Sequence, residues 1–519
     1  MIPILLSLLA SWPVTVGEAL LRAWHSYDLL RCDVVATPEP AGLRVACTLT
    51  LRVTREGPLR FLLSSGVSGL RTSRSGEPLR CQLDGTGLSR LVRIAAPAAT
   101  DIPGLLTLAP EPPPHPGQTV EILVEYLWHP SGDGFAYATA PGIDTHLSGF
   151  WLPTMADELF DASVEWRGEG SFATLPRATG DGRFESVAPV PVVALIAGEF
   201  EAHRRGGFAL LLPPACEADP EALLDDLEAV TTRLTARFGP CTEGPFTLVV
   251  SPRLRPVPSY CGGSFAVVHA SMLPGAAGRL RWIDHLAHEC SHRWWGHAVP
   301  MPVLGGGGTW LREGLAQWSG IAVAGEMFGV EDQLYRAHVR AYLGRVDLRR
   351  APGGERFLFA NEATLLDATD LDDPSVSYLR GVLVHRLLAA LAGRERFLSV
   401  LRSWQHGVHR SAHDLADALG LSAVVAYYAG TTRLPDFVLS EVATGPGFAR
   451  AVVRCEDRRL PALSLPCLVE AEGGALVWVE MRDGRGELSW TGTGTPRRIE
   501  IDPERLLLDP IRSNGFWER

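Results

Sequence analysis

The spacing of apolar residues changes twice along the chain, and this limits the folds that the chain can adopt. Short segments rich in Val, Leu and Thr, bounded by Pro and Gly, predict strands in the first part. From Glu221 the apolar residues recur at helical spacing, and this pattern dominates from Leu280 to about Tyr428. Strand pattern returns after Pro446. At 519 residues, the pattern predicts a multidomain α+β protein of about three domains.

Individual elements can be placed within this pattern. The predicted strands are Arg44–Val53, Thr119–Tyr126, Val192–Ala197, Phe246–Val250, Phe265–His269, Ala475–Met481 and Arg498–Ile501. An amphipathic helix is predicted from Glu221 to near Gly239. The proline-dense stretch Pro110–Pro116 predicts a loop inside the first domain, because strand-like sequence resumes directly after it.

Charge and composition exclude several classes of function. The chain has 48 basic and 59 acidic residues, a net charge of −11, which argues against a nucleic-acid partner. It contains no lysine, so all of its basic residues are arginines. Mechanisms that need a lysine, such as Schiff-base chemistry or a phosphate-binding P-loop, are therefore excluded.

Cysteine usage and hydropathy bear on the compartment. The nine cysteines are scattered and form no CxxC pair, which excludes a zinc ribbon and favours a reducing environment. No segment approaches the ~20 apolar residues of a membrane-spanning helix. The apolar run Ile2–Ala10 resembles the core of a signal peptide but lacks a preceding basic residue. We predict a cytoplasmic protein, with export as the alternative; the oligomeric state is not indicated.

Two histidines stand one helical turn apart in the segment His288-Glu289-Cys290-Ser291-His292. Residues four apart lie on the same face of a helix, so both imidazoles can bind one cation. Glu289 is placed to accept a proton from a water molecule at that site, whereas Cys290 points off the ligand face and is predicted to pack. The spacing predicts a zinc site, although a motif this short also arises by chance.

A third ligand is required, because catalytic zinc keeps three protein ligands and one open position. The run Trp310-Leu311-Arg312-Glu313-Gly314 opens the next helical segment, and Glu313 is predicted as that ligand. A solvated carboxylate at the start of a helix is the alternative. The preceding glycine loop and the apolar neighbours of Glu313 favour the metal.

Two further histidines, His285 and His297, flank the motif. Either could orient a metal ligand from outside the coordination sphere. The prediction favours ordinary core or surface positions for both.

With these residues the chain resembles the M1 family of gluzincin zinc metallopeptidases, which includes aminopeptidase N. That family carries HExxH followed by a glutamate in a WLxEG-like run. Here twenty residues separate His292 from Glu313, slightly more than in the family, and the glycine run Gly305–Gly308 can take up the difference. Trp151–Asp157 and Arg498–Asp509 also resemble family segments. The resemblance implies one Zn²⁺, held by the two histidines and the glutamate, and a peptide substrate.

The resemblance also assigns a role to the sequence YLRG at residues 378–381, which is similar to the family's Tyr-x-Lys-Gly. In the family this tyrosine, here Tyr378, hydrogen-bonds the oxyanion of the tetrahedral intermediate. An aromatic residue packed at a helix start is the alternative. The implied architecture is a saddle-like N-terminal β domain over 1–203, a thermolysin-like α/β-to-helical catalytic domain over 204–440 and a β-sandwich-like C-terminal domain over 441–519.

One loop departs from the family. Gly262-Gly263-Ser264-Phe265 stands where exopeptidases of the family carry a GxMEN loop, whose glutamate binds the α-amine of the substrate. The acidic residue is missing, and Phe265 stands near its place. An ammonium group without a carboxylate loses a charge-assisted bond worth about 1.5–3 kcal/mol. The glycines still allow close approach of a substrate backbone, so the loop is predicted to bind substrate, with a plain turn as the alternative.

Three functions follow from these residues. The first is a zinc aminopeptidase that acts on free N-termini. The second is a zinc peptidase of other selectivity, for N-blocked or internal bonds, which Phe265 favours. The third is a zinc-bearing protein used for binding or scaffolding, against which the presence of Glu289 and Tyr378 counts. The sequence indicates no preference among substrate side chains.

Overall fold

A computed structural model of the chain describes residues 26–519 apart from several short stretches. The stretches left out are 85–102, 131–136, 140–141, 147–149, 155–157, 181, 242–244, 252–258, 303–306, 344–346, 351–355, 360–364, 366–374, 405, 432–433, 456, 458 and 512. The apolar run Ile2–Ala10 and part of the glycine run at 305–308 therefore lie outside the described residues.

The chain folds into two compact units. The first runs to Gly305 and includes Trp404–His409, and the second comprises Gly306–Ser403 and Arg410–Arg519. The three-domain division over 1–203, 204–440 and 441–519 is a different partition and stays a prediction.

Strands dominate the first part of the first unit. They are β1 (Tyr27–Glu39), β2 (Gly42–Val53), β3 (Leu59–Ser64), β4 (Val67–Arg74), β5 (Glu77–Pro78), β6 (Arg80–Asp84), β7 (Pro103–Ala109), β8 (Thr119–Trp128), β9 (Tyr137–Thr139), β10 (Gly142–Asp144), β11 (Asp161–Trp166), β12 (Ser171–Ala173), β13 (Arg177–Gly180), β14 (Arg183–Glu185) and β15 (Ile196–Gly198). Eight of them form one sheet in the order β13-β14-β11-β1-β2-β8-β4-β5. Smaller sheets have the orders β12-β15-β10-β9 and β3-β7-β6.

The large sheet follows the alternation in the sequence. Along β2, residues such as Val45, Cys47 and Leu49 are fully buried, whereas their neighbours are partly exposed. The strands predicted at Arg44–Val53 and Thr119–Tyr126 are confirmed within β2 and β8, and Pro110–Pro116 is a loop as predicted.

The strand predicted at Val192–Ala197 is wrong over most of its length, because only Ile196–Gly198 is a strand. Leu195 is buried, but its backbone bonds to a single residue, Thr145. Its N–H donates to Thr145 Oγ1 at 2.8 Å, and its carbonyl accepts from the Thr145 N–H at 2.9 Å. A threonine side chain therefore satisfies buried backbone that would otherwise need a strand partner.

A mixed sheet completes the first unit. Its strands are β16 (Glu201–Arg205), β17 (Phe208–Leu212), β18 (Phe246–Ser251), β19 (Ser259–Cys261) and β20 (Phe265–His269), in the order β16-β17-β18-β20-β19. Strands β17, β18 and β20 run parallel, and β19 is an antiparallel edge strand. The strands predicted at Phe246–Val250 and Phe265–His269 are confirmed.

Two helices of the first unit are joined by a buried carboxylate. Helix α1 (Pro220–Phe238) begins after the Asp219 N-cap, one residue before the predicted start at Glu221, and ends at Gly239 as predicted. After a short 3₁₀ helix and α2 (Pro274–Ala277) comes α3 (Arg279–Ser291). On α1, Asp226 accepts hydrogen bonds from Arg279 Nη2 at 2.8 Å and from Trp282 Nε1 at 3.0 Å. These charge-assisted bonds fix the first turn of α3.

Helices dominate the first part of the second unit. They are α4 (Gly308–Phe328), α5 (Glu331–Leu343), α6 (Gly381–Ala392), α7 (Arg394–Arg402), α8 (Ala412–Leu419) and α9 (Ser422–Gly430), with a π-helix at Ser375–Arg380 directly before α6. The sequence predicts helix here without strands, but β21 (Asp347–Arg350) and β22 (Arg356–Phe359) form a hairpin. Among the described residues no helix is both long and apolar enough to cross a bilayer.

Strands return in the remainder of the second unit. They are β23 (Phe437–Gly445), β24 (Phe448–Cys455), β25 (Leu463–Glu470), β26 (Ala475–Met481), β27 (Arg485–Thr491), β28 (Arg498–Ile501) and β29 (Phe516–Glu518). They pair as β23-β24-β27 and as β26-β25-β28-β29. The strands predicted at Ala475–Met481 and Arg498–Ile501 are confirmed with the same bounds.

Candidate metal centre

His288 lies in the last turn of α3 and His292 is the C-cap residue of that helix, so the two motif histidines stand one turn apart, as the sequence predicts. Their rings meet edge to face with centroids 4.9 Å apart, and His288 Nε2 lies 3.3 Å from His292 Nε2. Both side chains are buried. The Nδ1 atom of His292 lies 3.1 Å from the carbonyl of Trp295. A proton on Nδ1 donated to that carbonyl leaves the lone pair of Nε2 facing His288.

Glu313 lies in the second turn of α4 and is 5% exposed. Its Oε1 atom accepts a hydrogen bond from Nε of the neighbouring Arg312 at 2.9 Å. One ligand atom from each of His288, His292 and Glu313 can be chosen so that all three lie within 4.8 Å of one another. The sequence predicts this set from the spacing of the histidines and from the segment that contains Glu313, and among the described residues these three could hold a metal ion.

The donor set fits zinc. Two nitrogens bound to tetrahedral zinc at about 2.0–2.1 Å lie about 3.3 Å apart. The two Nε2 atoms have this separation, 3.3 Å. Two imidazoles and one carboxylate also leave a fourth position for water or substrate. The residues present therefore match a zinc centre with an open position.

Two residues inside the motif have distinct surroundings. Glu289 is 5% exposed, and its Oε1 atom lies 3.9 Å from Nε2 of His285, one turn earlier on α3. Burial lowers the pKa of His285 to about 3, so the ring is neutral near pH 7.

Cys290 is fully buried, and burial raises its thiol pKa to about 12. Its thiol is therefore protonated at neutral pH, which agrees with the packing role predicted from sequence.

Strand β19 is tied to both histidines that flank the motif. His285 Nε2 and Ser259 Oγ form a hydrogen bond of 2.5 Å. His297 is buried, and its Nε2 lies 2.8 Å from the carbonyl oxygen of Cys261. Sequence reasoning favoured ordinary positions for these histidines, and nothing in their spacing indicates that they contact the same strand.

The predicted substrate loop follows β19. Gly262, Gly263 and Ser264 line a pocket together with His297 and apolar residues that include Leu175, Pro176, Val187, Pro189 and Val190. Phe265 is placed differently from its neighbours, because its ring is only 1% exposed and packs against Tyr260. A Cβ at Gly262 would lie 2.6 Å from that ring, so this position has room only for glycine.

Tyr378 lies in the π-helix at Ser375–Arg380 and is half-buried. Gly314 of the segment 310–314 lies close to Gly381 of the segment 378–381. A Cβ at Gly314 would lie 2.8 Å from the ring of His385 and 3.0 Å from the carbonyl carbon of Gly381. His385 Nδ1 bonds the Gly381 carbonyl at 2.8 Å. Glycine in both segments thus allows α4 and α6 to cross closely.

Comparison with known proteins agrees with this geometry. Residues 274–423 match the family model described as Peptidase family M1 domain. A search of curated proteins finds no match. The matched segment contains both motif histidines, Glu313 and Tyr378.

Two solved structures share the fold. Legionella pneumophila aminopeptidase A, solved in complex with aspartic acid, is 14% identical with a TM-score of 0.70, covering 94% of this chain and 59% of that one. A mutant M1 zinc metallopeptidase from Deinococcus radiodurans is 19% identical with a TM-score of 0.56, covering 79% of this chain and 96% of that one. The chain thus spans 59% of the length of the Legionella protein. Residues 274–423 thus match the model of the peptidase family M1 domain, the family that the motifs resemble.

Proposed function

We propose that the protein is a zinc-dependent peptidase that hydrolyses peptide bonds with water. The observation that carries the proposal is the convergence of His288, His292 and Glu313 on one possible metal site. Glu289 directly follows the first of these ligands in sequence, and all four residues lie in the segment that matches the M1 domain model. A bound zinc ion would supply a Lewis acid that polarises the scissile carbonyl and lowers the pKa of water toward ~7.

The residues of the chain would then have separate roles in metal binding and proton transfer. The two histidines and Glu313 hold the cation. Glu289 takes the proton from the attacking water and returns it to the amine that leaves, so one carboxylate serves as base and then as acid. The burial of Glu289 supports this role, because little bulk water reaches the carboxylate and the proton that it accepts is not lost to solvent.

Tyr378 is proposed to donate a hydrogen bond to the developing oxyanion. The change Tyr378→Phe removes only the hydroxyl group, and we expect kcat to fall about 10²–10³-fold with little change in KM. Steady-state kinetics on a peptide substrate measure this. Tyr427→Phe is a matched control, since it deletes a tyrosine hydroxyl bonded to Asp457 elsewhere in the second unit. A Tyr378→Phe variant as active as that control would remove Tyr378 from the mechanism.

The substrate contacts are proposed for the backbone of Gly262, Gly263 and Ser264, with Phe265 beneath them as their support. Strand β19 is an edge strand, which favours pairing with an extended peptide. None of the described residues that line the adjacent pocket carries a carboxylate. This supports a peptidase that acts on N-blocked or internal bonds, for which the peptide need not present a free α-amine.

Matched peptides test the function and the selectivity together. The metal-replete protein is incubated with a peptide library, and mass spectrometry locates each cleaved bond. We expect hydrolysis, and faster cleavage of N-acetylated than of free peptides would exclude a strict aminopeptidase. Full zinc occupancy without any hydrolysis would support the non-catalytic reading and overturn the proposal.

The finer architecture belongs to the same proposal. The N-terminal strands would form the saddle-like domain, and the elements from β17 to α9 a thermolysin-like catalytic domain. A cytoplasmic location belongs to the same proposal, and the scattered cysteines without a CxxC pair support it.

A further inference from the structure

We propose that His285 and Ser259 together are positioning residues for Glu289. The inference rests on the proposed role of Glu289 as the proton acceptor. It concerns how the carboxylate is held, and it needs only contacts within the first unit.

Several distances show that His285 lies between strand β19 and the carboxylate of Glu289. His285 and Glu289 are one turn apart on α3, so their side chains share a face of the helix. The Nε2 atom of His285 lies 2.5 Å from Ser259 Oγ and 3.9 Å from Glu289 Oε1. The ring is also parallel to that of His288, with an interplanar angle of 8° and centroids 6.5 Å apart.

Burial makes this arrangement rigid. The Ser259 side chain lies on a buried strand, and that of His285 is 18% exposed. A short hydrogen bond between two such groups fixes the ring plane, because neither partner can exchange it for water without cost. The fixed ring then occupies the space beside Glu289 Oε1 and limits the rotamers of the carboxylate.

Kinetics of three variants test the proposal. His285→Leu removes the polar ring, and Ser259→Ala removes its tether. We expect each to lower kcat about 10–100-fold with KM and bound zinc nearly unchanged, as is typical for partners that orient catalytic groups. The double variant should be little worse than the worse single variant, because the two residues act as one unit. His285→Gln, which keeps a side chain able to bond Ser259, should recover much of the activity.

Ser163→Ala is the control for serine deletion, because Ser163 is similarly buried and bonds Asp33 on the neighbouring strand β1 of the large sheet. It should leave kcat unchanged. Additive losses in the double variant, or a rise in KM with kcat preserved, would overturn the inference.

Crystal structures of the metal-free protein give a readout independent of activity. We expect Glu289 to adopt one rotamer in the wild type and to rotate or split in His285→Leu and Ser259→Ala. An unchanged Glu289 rotamer in both variants would overturn the inference. Absence of hydrolysis by the wild type would instead overturn the proposed function, and the rotamers would still decide whether His285 positions Glu289.

Discussion

Replacing Glu289 by glutamine is expected to abolish peptide hydrolysis while leaving the metal in place. The amide has the size of the carboxylate but cannot accept the proton of the attacking water. General base catalysis contributes about 10²–10⁴-fold, and Glu289 would serve twice in one turnover, so a loss near the upper end is expected. Because the amide fits the same buried position, zinc content should equal that of the wild type. Peptide hydrolysis rates and elemental analysis on the same samples measure both.

The control for this change is Glu228→Gln on α1, whose carboxylate lies 3.6 Å from Arg205 and outside the motif. It should hydrolyse peptides at the wild-type rate. Glu289→Gln with full activity would remove the mechanism, whereas loss of zinc in this variant would show that Glu289 acts on the metal site itself.

The sequence predicts the fold where periodicity is strong and local. Helix α1 was predictable at both ends, because an amphipathic stripe is bounded by Asp219 and Pro220 at its start and by Gly239 at its end. Strands β26 and β28 match their predicted bounds, although burial alternates only along β26 and three consecutive residues of β28 are buried. Such signals need no knowledge of distant parts of the chain.

The sequence does not reveal contacts between distant segments. The apolar stretch before Ile196 has the composition of a strand, yet Thr145 satisfies the backbone of Leu195 instead. The hydrogen bond between Ser259 and His285 has no pattern in sequence, because one lies on a strand and the other on a helix. By its spacing from the histidine motif, Phe265 is assigned to a substrate loop. In the structure it belongs to strand β20, where successive side chains point to opposite faces of the sheet, and its ring is buried in the core.

The metal ligands were predictable for a different reason. Two ligands one helical turn apart impose a spacing that survives in sequence, and the third lies in a motif that opens the next long helix. The glycines of the two later motifs have a structural explanation as well, because a Cβ at Gly314 or Gly381 would come within 3.0–3.3 Å of the other helix. The close packing of α4 against α6 therefore explains the glycine at each of these two positions.

The change Glu313→Ala is expected to abolish tight zinc binding. Loss of an outer-shell partner lowers metal affinity about 10–100-fold, and loss of a direct ligand should lower it more. At a zinc concentration 100 times its Kd, binding stabilises a folded protein by about 2.7 kcal/mol. The wild type should therefore melt at a higher temperature with zinc than with a chelator, and Glu313→Ala should lose this difference. Thermal melts and competition with a chromophoric chelator measure the two effects.

The salt bridge to Arg312 must be separated from metal binding. Glu313→Ala also removes the 2.9 Å ion pair with Arg312, whose side chain is 17% exposed, and this loss is expected to cost about 1.5–3 kcal/mol of stability even without metal. Arg312→Gln removes the same salt bridge but keeps the carboxylate, so it should retain zinc and the zinc-dependent rise in melting temperature. If both variants bind zinc like the wild type, the carboxylate at 313 is no ligand, and the two histidines must share their cation with another group.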